Sequence, residues 1–159
     1  MTTISLSPAS LKSEYRRLFS RAGAWGFPLL LLCACTQPEA VTISDAWIRE
    51  APPGAMRLAA YLVIENKLSS TITLTGVSSE SFATAQIHQT TMDDGVARMR
   101  MIDELAIEPG QLQSFNPGGM HLMLINPKVN VVAGDTIVLV LHFAKQADLT
   151  VDAQIKVGQ

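Results

Sequence analysis

The chain has 159 residues, 12 of them lysine or arginine and 14 aspartate or glutamate, with a formal net charge of −2 at pH 7. This length fits one domain plus a processing segment, and the acidic balance argues against nucleic-acid binding, which depends on Lys and Arg contacts to phosphates. The two cysteines are Cys33 and Cys35. Beyond Cys35 the sequence therefore offers no disulfide, thiolate nucleophile or thiolate metal ligand.

The N-terminal part has the pattern of a secretory signal peptide. Four basic residues precede an apolar run over 22–32, too short for a transmembrane helix, which needs about 20 residues. The following Leu32-Cys33-Ala34-Cys35 resembles the lipobox of bacterial lipoproteins, which implies that Cys35 is lipidated. The alternative is an ordinary cleaved signal with two incidental cysteines, or a disulfide between them. The predicted organisation is a lipoprotein-type signal peptide over 1–34, a lipidated tether over 35–40 and a domain over 41–159.

The domain is predicted to consist of β-strands. Its candidate strands either alternate apolar with polar residues or are apolar on both faces, and none shows a convincing helical period. Turns containing Gly or Pro separate the runs at intervals of roughly ten residues. The predicted strands cover 41–48, 57–65, 71–77, 85–92, 96–102, 121–125, 136–143 and 149–157. This series predicts an all-β sandwich or barrel, with Trp47, Tyr61 and Phe143 as packing residues.

Methionine and histidine cluster in the second half of the domain. Methionine is usually a flexible core filler, and that role predicts a scatter among Leu and Val without pairing to histidine. Five of the seven methionines instead fall within 32 residues, and two of the three histidines bracket or adjoin them. The clustered residues are His88, Met92, Met99, Met101, Met120, His121 and Met123.

The predicted hairpin brings several of these side chains to one face. If Asp94 and Gly95 form a two-residue turn, His88 opposes Met101 and Thr90 opposes Met99. Opposed residues share a face, so both methionines project on the side of His88. His121 and Met123 are two residues apart on one strand and also point the same way.

Two imidazoles and two thioethers indicate a preference for one metal ion. Thioether sulfur is soft and neutral, so it suits Cu(I) and is poor for Zn(II), Mg(II) or Ca(II). A blue-copper centre needs a cysteine thiolate, which the domain does not contain. We therefore predict one Cu(I) per domain.

The spacing of these residues resembles a known signature. Ten residues separate His88 from Met99, 21 separate Met99 from His121, and one separates His121 from Met123. This spacing is similar to the H-x10-M-x21-H-x-M signature of the PCu(A)C periplasmic copper chaperone family. The flanking residues 92–100 and 117–124, and the upstream segments 46–49 and 60–66, look like that family too. The resemblance covers about residues 41–157.

The resemblance implies a cupredoxin-like Greek-key β-sandwich or barrel with an exposed Cu(I) site, whose ligands are His88, Met99, His121 and Met123. It also implies a metallochaperone that assembles the copper site of cytochrome c oxidase, with an oxidase subunit or a Sco-type copper protein as acceptor. The expected protein is a monomer, anchored by lipid on the periplasmic side of the cell envelope, in the inner or the outer membrane. Some relatives have a His- and Met-rich tail, which residues 151–159 do not resemble.

The remaining candidates are interpreted as structural. Met101 could be a spare ligand but is expected to pack, as is Met92 near the turn, and Met120 is assigned to the core or its rim. His142, in an apolar strand, is expected to be a hydrogen-bonded structural residue. Arg98 and Arg100 face away from the predicted site and are assigned to the solvated surface.

Three other functions compete with copper delivery. An enzyme is disfavoured because the sequence shows no phosphate loop and no Ser/His/Asp arrangement with a supporting motif, and four protein ligands leave no open metal position. Copper sequestration for tolerance would use the same site with a different acceptor. A structural β-sandwich of the envelope would leave the His/Met spacing to chance.

Overall fold

The computed structural model describes residues 41–157, which form ten strands and no helix. The predicted signal peptide, the tether and Cys35 lie outside these residues. Within the described part of the chain there is no helix of the length and hydropathy that a membrane span requires. The strands are β1 (Val41–Arg49), β2 (Arg57–Asn66), β3 (Ile72–Ser78), β4 (Phe82–Asp93), β5 (Val96–Ile102), β6 (Leu105–Ile107), β7 (Leu112–Phe115), β8 (Met120–Pro127), β9 (Thr136–Phe143) and β10 (Leu149–Lys156).

The predicted all-β class is confirmed, and all eight predicted strands are present. β5 and β9 have the predicted bounds, while β4 begins three residues earlier, at Phe82. The two additional strands, β6 and β7, have three and four residues. Runs this short contain too few residues to display a two-residue period, so the sequence pattern does not reveal them.

The strands join in the order β5-β4-β8-β2-β1-β10-β9-β3-β6, and β7 also pairs with β2. β2 changes partner along its length, because Arg57 to Ala60 pair with β8 and Leu62 to Glu65 pair with β7. β1 and β10 are parallel, although most neighbours are antiparallel. This order places β4 between β5 and β8, so the two segments that contain the predicted ligands become neighbours.

Alternation along each strand separates an inner face from an outer face. On β2 and β8 the inner residues are completely or almost completely buried, and they join the hydrophobic core. The side chains between them point to the opposite side of the sheet, as the two-residue period requires. We call that opposite side the outer face. The inner residues next to the predicted ligands are Leu58, Ala60, Ile87, Leu122 and Leu124.

A β-bulge in β1 adjusts the outer face. The register with β2 shifts between Ser44 and Trp47, and Asp45 has a positive φ of 52°. The extra residue lets Trp47 pair with Tyr61, and their rings lie 4.6 Å apart between centroids. Tyr61 follows Ala60, which pairs with Leu122, so this aromatic pair continues the outer face beside His121.

Candidate metal centre

The hairpin β4–β5 has the register that the sequence predicted. His88 pairs with Met101, and Thr90 pairs with Met99. Asp94 and Gly95 form the turn, with φ of 49° and 78°. Positive φ at both central residues is the property of the type I′ turn, which matches the twist of a two-stranded hairpin. The turn thus directs His88, Met99 and Met101 to the outer face.

Strand β8 brings the second half of the predicted ligand set to β4. His88 pairs directly with His121, and Gln86 pairs with Met123. The centroids of the two imidazole rings lie 5.8 Å apart, with 40° between the ring planes. All four predicted ligands therefore lie on the outer face of three adjacent strands, with Met99 two residues to one side of the His88–His121 pair and Met123 two residues to the other.

Burial of the four side chains changes across the site. His121 on β8 is 6% exposed, whereas Met99 on β5 is 53% exposed. His88 and Met123 are half-buried. Because β5 is at the end of the strand order, the site is open to solvent at Met99 and closed at His121.

Hydrogen bonds orient both imidazole rings. Nδ1 of His121 lies 3.2 Å from the carbonyl oxygen of Gly119. A carbonyl oxygen only accepts, so Nδ1 donates its proton and Nε2 retains the lone pair that a metal requires. Nε2 of His88 lies 3.0 Å from Oε1 of Gln86, while Nδ1 of His88 is buried without a hydrogen-bond partner. The unpartnered Nδ1 is an available donor to a metal ion.

The environment also keeps His88 neutral. Burial lowers the pKa of His88 below its ordinary value, and the neighbouring His121 lowers it further by charge repulsion. A neutral imidazole offers a lone pair, whereas an imidazolium does not. The lowered pKa of His88 thus leaves its imidazole available to a metal ion.

The donor set fits a soft monovalent ion. Its members are two neutral imidazoles and neutral thioethers, and no carboxylate pairs with the site in the strand register. Within residues 41–157, no group of three or more His, Cys, Asp or Glu side chains comes together in a geometry that could hold a metal. Thioethers with imidazoles match the preference of Cu(I).

Met101 and Met92 differ from their predicted packing role. Met101 is 53% exposed and Met92 is 67% exposed, so neither is a core residue. The prediction failed because alternation identifies a face but not whether the hairpin extends beyond the body of the sheet. Met120 does pack against the core, as predicted, and its sulfur accepts a hydrogen bond from Nε2 of Gln113 at 3.3 Å.

The two arginines of β5 lie on the opposite side of the hairpin. Arg98 forms an ion pair with Asp93 at 3.1 Å, and Arg100 donates to Oε1 of Gln89 at 2.7 Å. Both are exposed, as predicted. Their charges therefore do not face the methionines.

His142 lies apart from this site and is hydrogen-bonded, as predicted. Its Nε2 is 2.7 Å from Oγ of Ser78, and its Nδ1 is 2.8 Å from Oδ2 of Asp148. No sequence motif indicates this Ser/His/Asp arrangement, because the three residues belong to β3, β9 and the turn that follows β9. His142 pairs with Gly76, and its two side-chain hydrogen bonds link the β9–β10 turn to β3.

A surface cleft lies apart from the predicted ligands. It has a volume of about 650 Å³ and is lined by residues of the β1–β2 loop, such as Pro53 and Met56, and of the β8–β9 loop, such as Val129 and Val132. Clefts are the usual location of small-molecule sites. A site built from strand side chains on an open face is instead suited to an ion that a second protein can reach.

The sequence did not identify two groups that contact the histidines. Gln86 has no metal-binding character, but its position two residues before His88 places it on the same face, which was a usable signal. The carbonyl of Gly119 carries no side-chain signal at all. Both groups belong to the layer that orients ligands rather than to the ligands themselves.

Comparison with known proteins gives the family. A family model described as "Putative lipoprotein LpqE-like" matches residues 41–155. The chain belongs to the LpqE-like family. A protein of Leifsonia xyli subsp. xyli, named "Putative lipoprotein Lxx21020", is 29% identical over 121 residues, which cover 76% of this LpqE-like chain and 72% of that protein.

Solved structures similar to this LpqE-like domain confirm its resemblance to PCuAC domains. The solution structure of CuI-DR1885 from Deinococcus radiodurans is 29% identical, with a TM-score of 0.61, covering 77% of this chain and 83% of that one. The copper-bound PCuAC domain from PmoF2 superposes with a TM-score of 0.64 at 24% identity, covering 75% and 94%. The predicted cupredoxin-like β-sandwich or barrel is thereby confirmed, and both of these similar proteins were solved with copper.

Proposed function

We propose that this LpqE-like protein is a Cu(I) chaperone of the cell envelope. His88, Met99, His121 and Met123 bind one ion, and the protein delivers it by ligand exchange to the copper site of cytochrome c oxidase or to a Sco-type intermediary. The observation that carries the proposal is the direct pairing of His88 with His121, with thioethers on the same outer face.

The geometry supports this chemistry through its donor atoms. Directly paired residues on antiparallel strands have Cβ atoms about 4.5–5.5 Å apart, so two imidazoles can converge on one ion. Met123 follows His121 by two residues on the same face, and Met99 reaches from the neighbouring strand. Histidine Nε2 of one ring and an unpartnered nitrogen of the other are both available.

The change in burial supports ligand exchange with a defined order. Met99 is half exposed, so an acceptor can replace its sulfur without unfolding the sheet. His121 is almost fully buried and is held by Gly119, so it is the last ligand to release the ion. An acceptor with stronger donors, such as thiolates, can therefore remove copper in steps that each replace one bond with another.

X-ray absorption at the copper edge tests the ligand set. The full chain with Cys33→Ser and Cys35→Ser avoids binding by thiols, and it should be loaded with one equivalent of Cu(I). We expect both sulfur and imidazole nitrogen in the first coordination shell, and fewer sulfur neighbours in Met123→Leu. A shell of nitrogen and oxygen alone would contradict the proposed site.

A transfer assay tests delivery against sequestration. Cu(I)-loaded protein is mixed with the apo form of the copper-binding domain of cytochrome c oxidase, and copper is measured in each protein after separation. Delivery predicts that most of the copper moves to the oxidase domain within the assay. Copper that stays on the chaperone would instead support sequestration. A deletion strain that is copper-sensitive but keeps its oxidase activity would support the same conclusion.

A further inference from the structure

Three methionines line the outer face of the β4–β5 hairpin. Met92, Met99 and Met101 are 67%, 53% and 53% exposed, so their apolar side chains contribute little to the core. Only Met99 belongs to the proposed Cu(I) site. Met92 and Met101 therefore have neither a packing role nor an assigned ligand role.

The register places the three sulfur-bearing side chains in consecutive rows. Met101 pairs with His88, Met99 pairs with Thr90, and Met92 pairs with Ala97. Met99 and Met101 are roughly 7 Å apart along one strand, and Met92 is the diagonal neighbour of Met99 at roughly 7–8 Å. The methionine side chain is long and has three rotatable bonds, so neighbouring sulfurs can converge on one ion.

The residues that pair with these methionines carry no carboxylate. Their paired residues are Thr90, Ala97 and His88, and the charged pair Arg98–Asp93 lies on the opposite side of the hairpin. Thioethers without a carboxylate bind soft Cu(I) and Ag(I) and discriminate against harder divalent ions. The outer face of the hairpin thus carries the donor type that a soft metal ion prefers.

We propose that Met92, Met99 and Met101 form a second, weaker Cu(I) site that loads the first. This inference rests on the proposed copper function. The ion is received by the exposed thioethers at the hairpin tip, and it passes to the histidine pair when His88 and His121 replace the sulfurs of Met92 and Met101. Met99 is common to both sites, and each step exchanges one ligand for another with no change in the oxidation state of copper.

Methyl NMR of the full chain, with Cys33→Ser and Cys35→Ser, tests the proposal. The methionine methyl groups are labelled with carbon-13 and assigned by single Met→Leu variants, and the protein is titrated with Ag(I), a redox-stable substitute for Cu(I). We expect Met99 and Met123 to respond during the first equivalent. Met92 and Met101 should respond during the second, while Met56 and Met120 should stay unchanged.

Stopped-flow loading of the double variant Met92→Leu/Met101→Leu gives a second readout. The first equivalent should bind with unchanged affinity but load about tenfold more slowly, a rate effect without an equilibrium effect. Met56→Leu, which changes an exposed methionine of the β1–β2 loop, is the matched control and should load at the wild-type rate.

Two results would overturn the second site. Met92 and Met101 could remain silent through two equivalents, or the double variant could load as fast as wild type. Met101 responding together with Met123 in the first equivalent would also overturn the division into two sites. Failure of the chaperone site is distinguishable, because Met123 would then show no response while the three hairpin methionines still respond to Ag(I).

Discussion

His88 and His121 face each other across β4 and β8, with ring centroids 5.8 Å apart and no carboxylate paired with either of them. Two imidazoles at this distance repel each other when both are protonated, and they can bind one metal ion together when both are neutral. Because the rings are held by Gln86 and by the carbonyl of Gly119, the pair is oriented before an ion arrives. Orientation before binding reduces the entropic cost of binding.

Gln86 is predicted to position His88. Gln86→Ala removes the acceptor for Nε2, so we expect His88 to exchange between its two neutral tautomers and the Cu(I) affinity to fall by roughly tenfold, as for other groups that orient ligands. Long-range nitrogen-15 NMR of the apo protein reports the tautomer directly. Gln89→Ala is the matched control, because Gln89 is on the opposite face and contacts Arg100. A single unchanged tautomer in Gln86→Ala would disprove the positioning role.

The lowered pKa of His88 predicts that stability depends on pH. Between this lowered pKa and the unfolded value near 6.5, the unfolded chain binds more protons than the folded one, so folding becomes less stable as pH falls. Urea midpoints of the metal-free protein should therefore decrease as the pH falls below about 6.5.

His88→Gln is the control for this pH dependence, because it removes the titrating group and keeps a polar side chain. Its midpoint should change less with pH than that of wild type. His121 is the titratable neighbour on the facing strand, and His121→Gln should return the His88 pKa toward its ordinary value. An identical pH dependence in wild type and His88→Gln would contradict the assignment.

Leu122 tests the assignment of the two faces of β8. It lies between His121 and Met123 in sequence but is fully buried on the inner face. Leu122→Ala should lower the free energy of unfolding by about 2–5 kcal/mol, the range for leucine truncation in a core. Met123→Leu preserves volume and should cost less than about 1.5 kcal/mol. Chemical denaturation measures both, and equal destabilisation by the two changes would refute the alternation.

The third histidine should have no part in copper binding. His142 is bonded to Ser78 and Asp148, away from the predicted ligands. His142→Gln should leave the Cu(I) affinity unchanged and should reduce stability by less than about 1.5 kcal/mol, as expected for partly exposed hydrogen bonds. Competition titration and urea denaturation check the two expectations, and a clear loss of Cu(I) affinity would show that the ligand set is incomplete.

Much of the site geometry followed from local sequence rules. The Asp94-Gly95 turn and the two-residue period were sufficient to predict that Met99 shares a face with His88. The pairing of His88 with His121 could not be predicted in the same way, because the two residues belong to strands separated by β5, β6 and β7. Alternation assigns faces, but it does not tell which strands become neighbours.

Exposure was also beyond the reach of the sequence pattern. Met101 lies on the predicted face, yet its predicted packing was wrong because β5 is an edge strand with few neighbours. The short strands β6 and β7 were missed for lack of a detectable period. The resemblance to the PCu(A)C family supplied the ligand set, but it gave no information about Gln86.

The most direct measurement is Cu(I) competition with a chromogenic chelator for wild type, Met123→Leu and Met56→Leu, all with Cys33→Ser and Cys35→Ser. We expect wild type and Met56→Leu to hold one equivalent tightly. Met123→Leu should bind at least about tenfold more weakly, a loss of about 1.4 kcal/mol. Failure of wild type to compete, or equal affinity in wild type and Met123→Leu, would contradict the copper site.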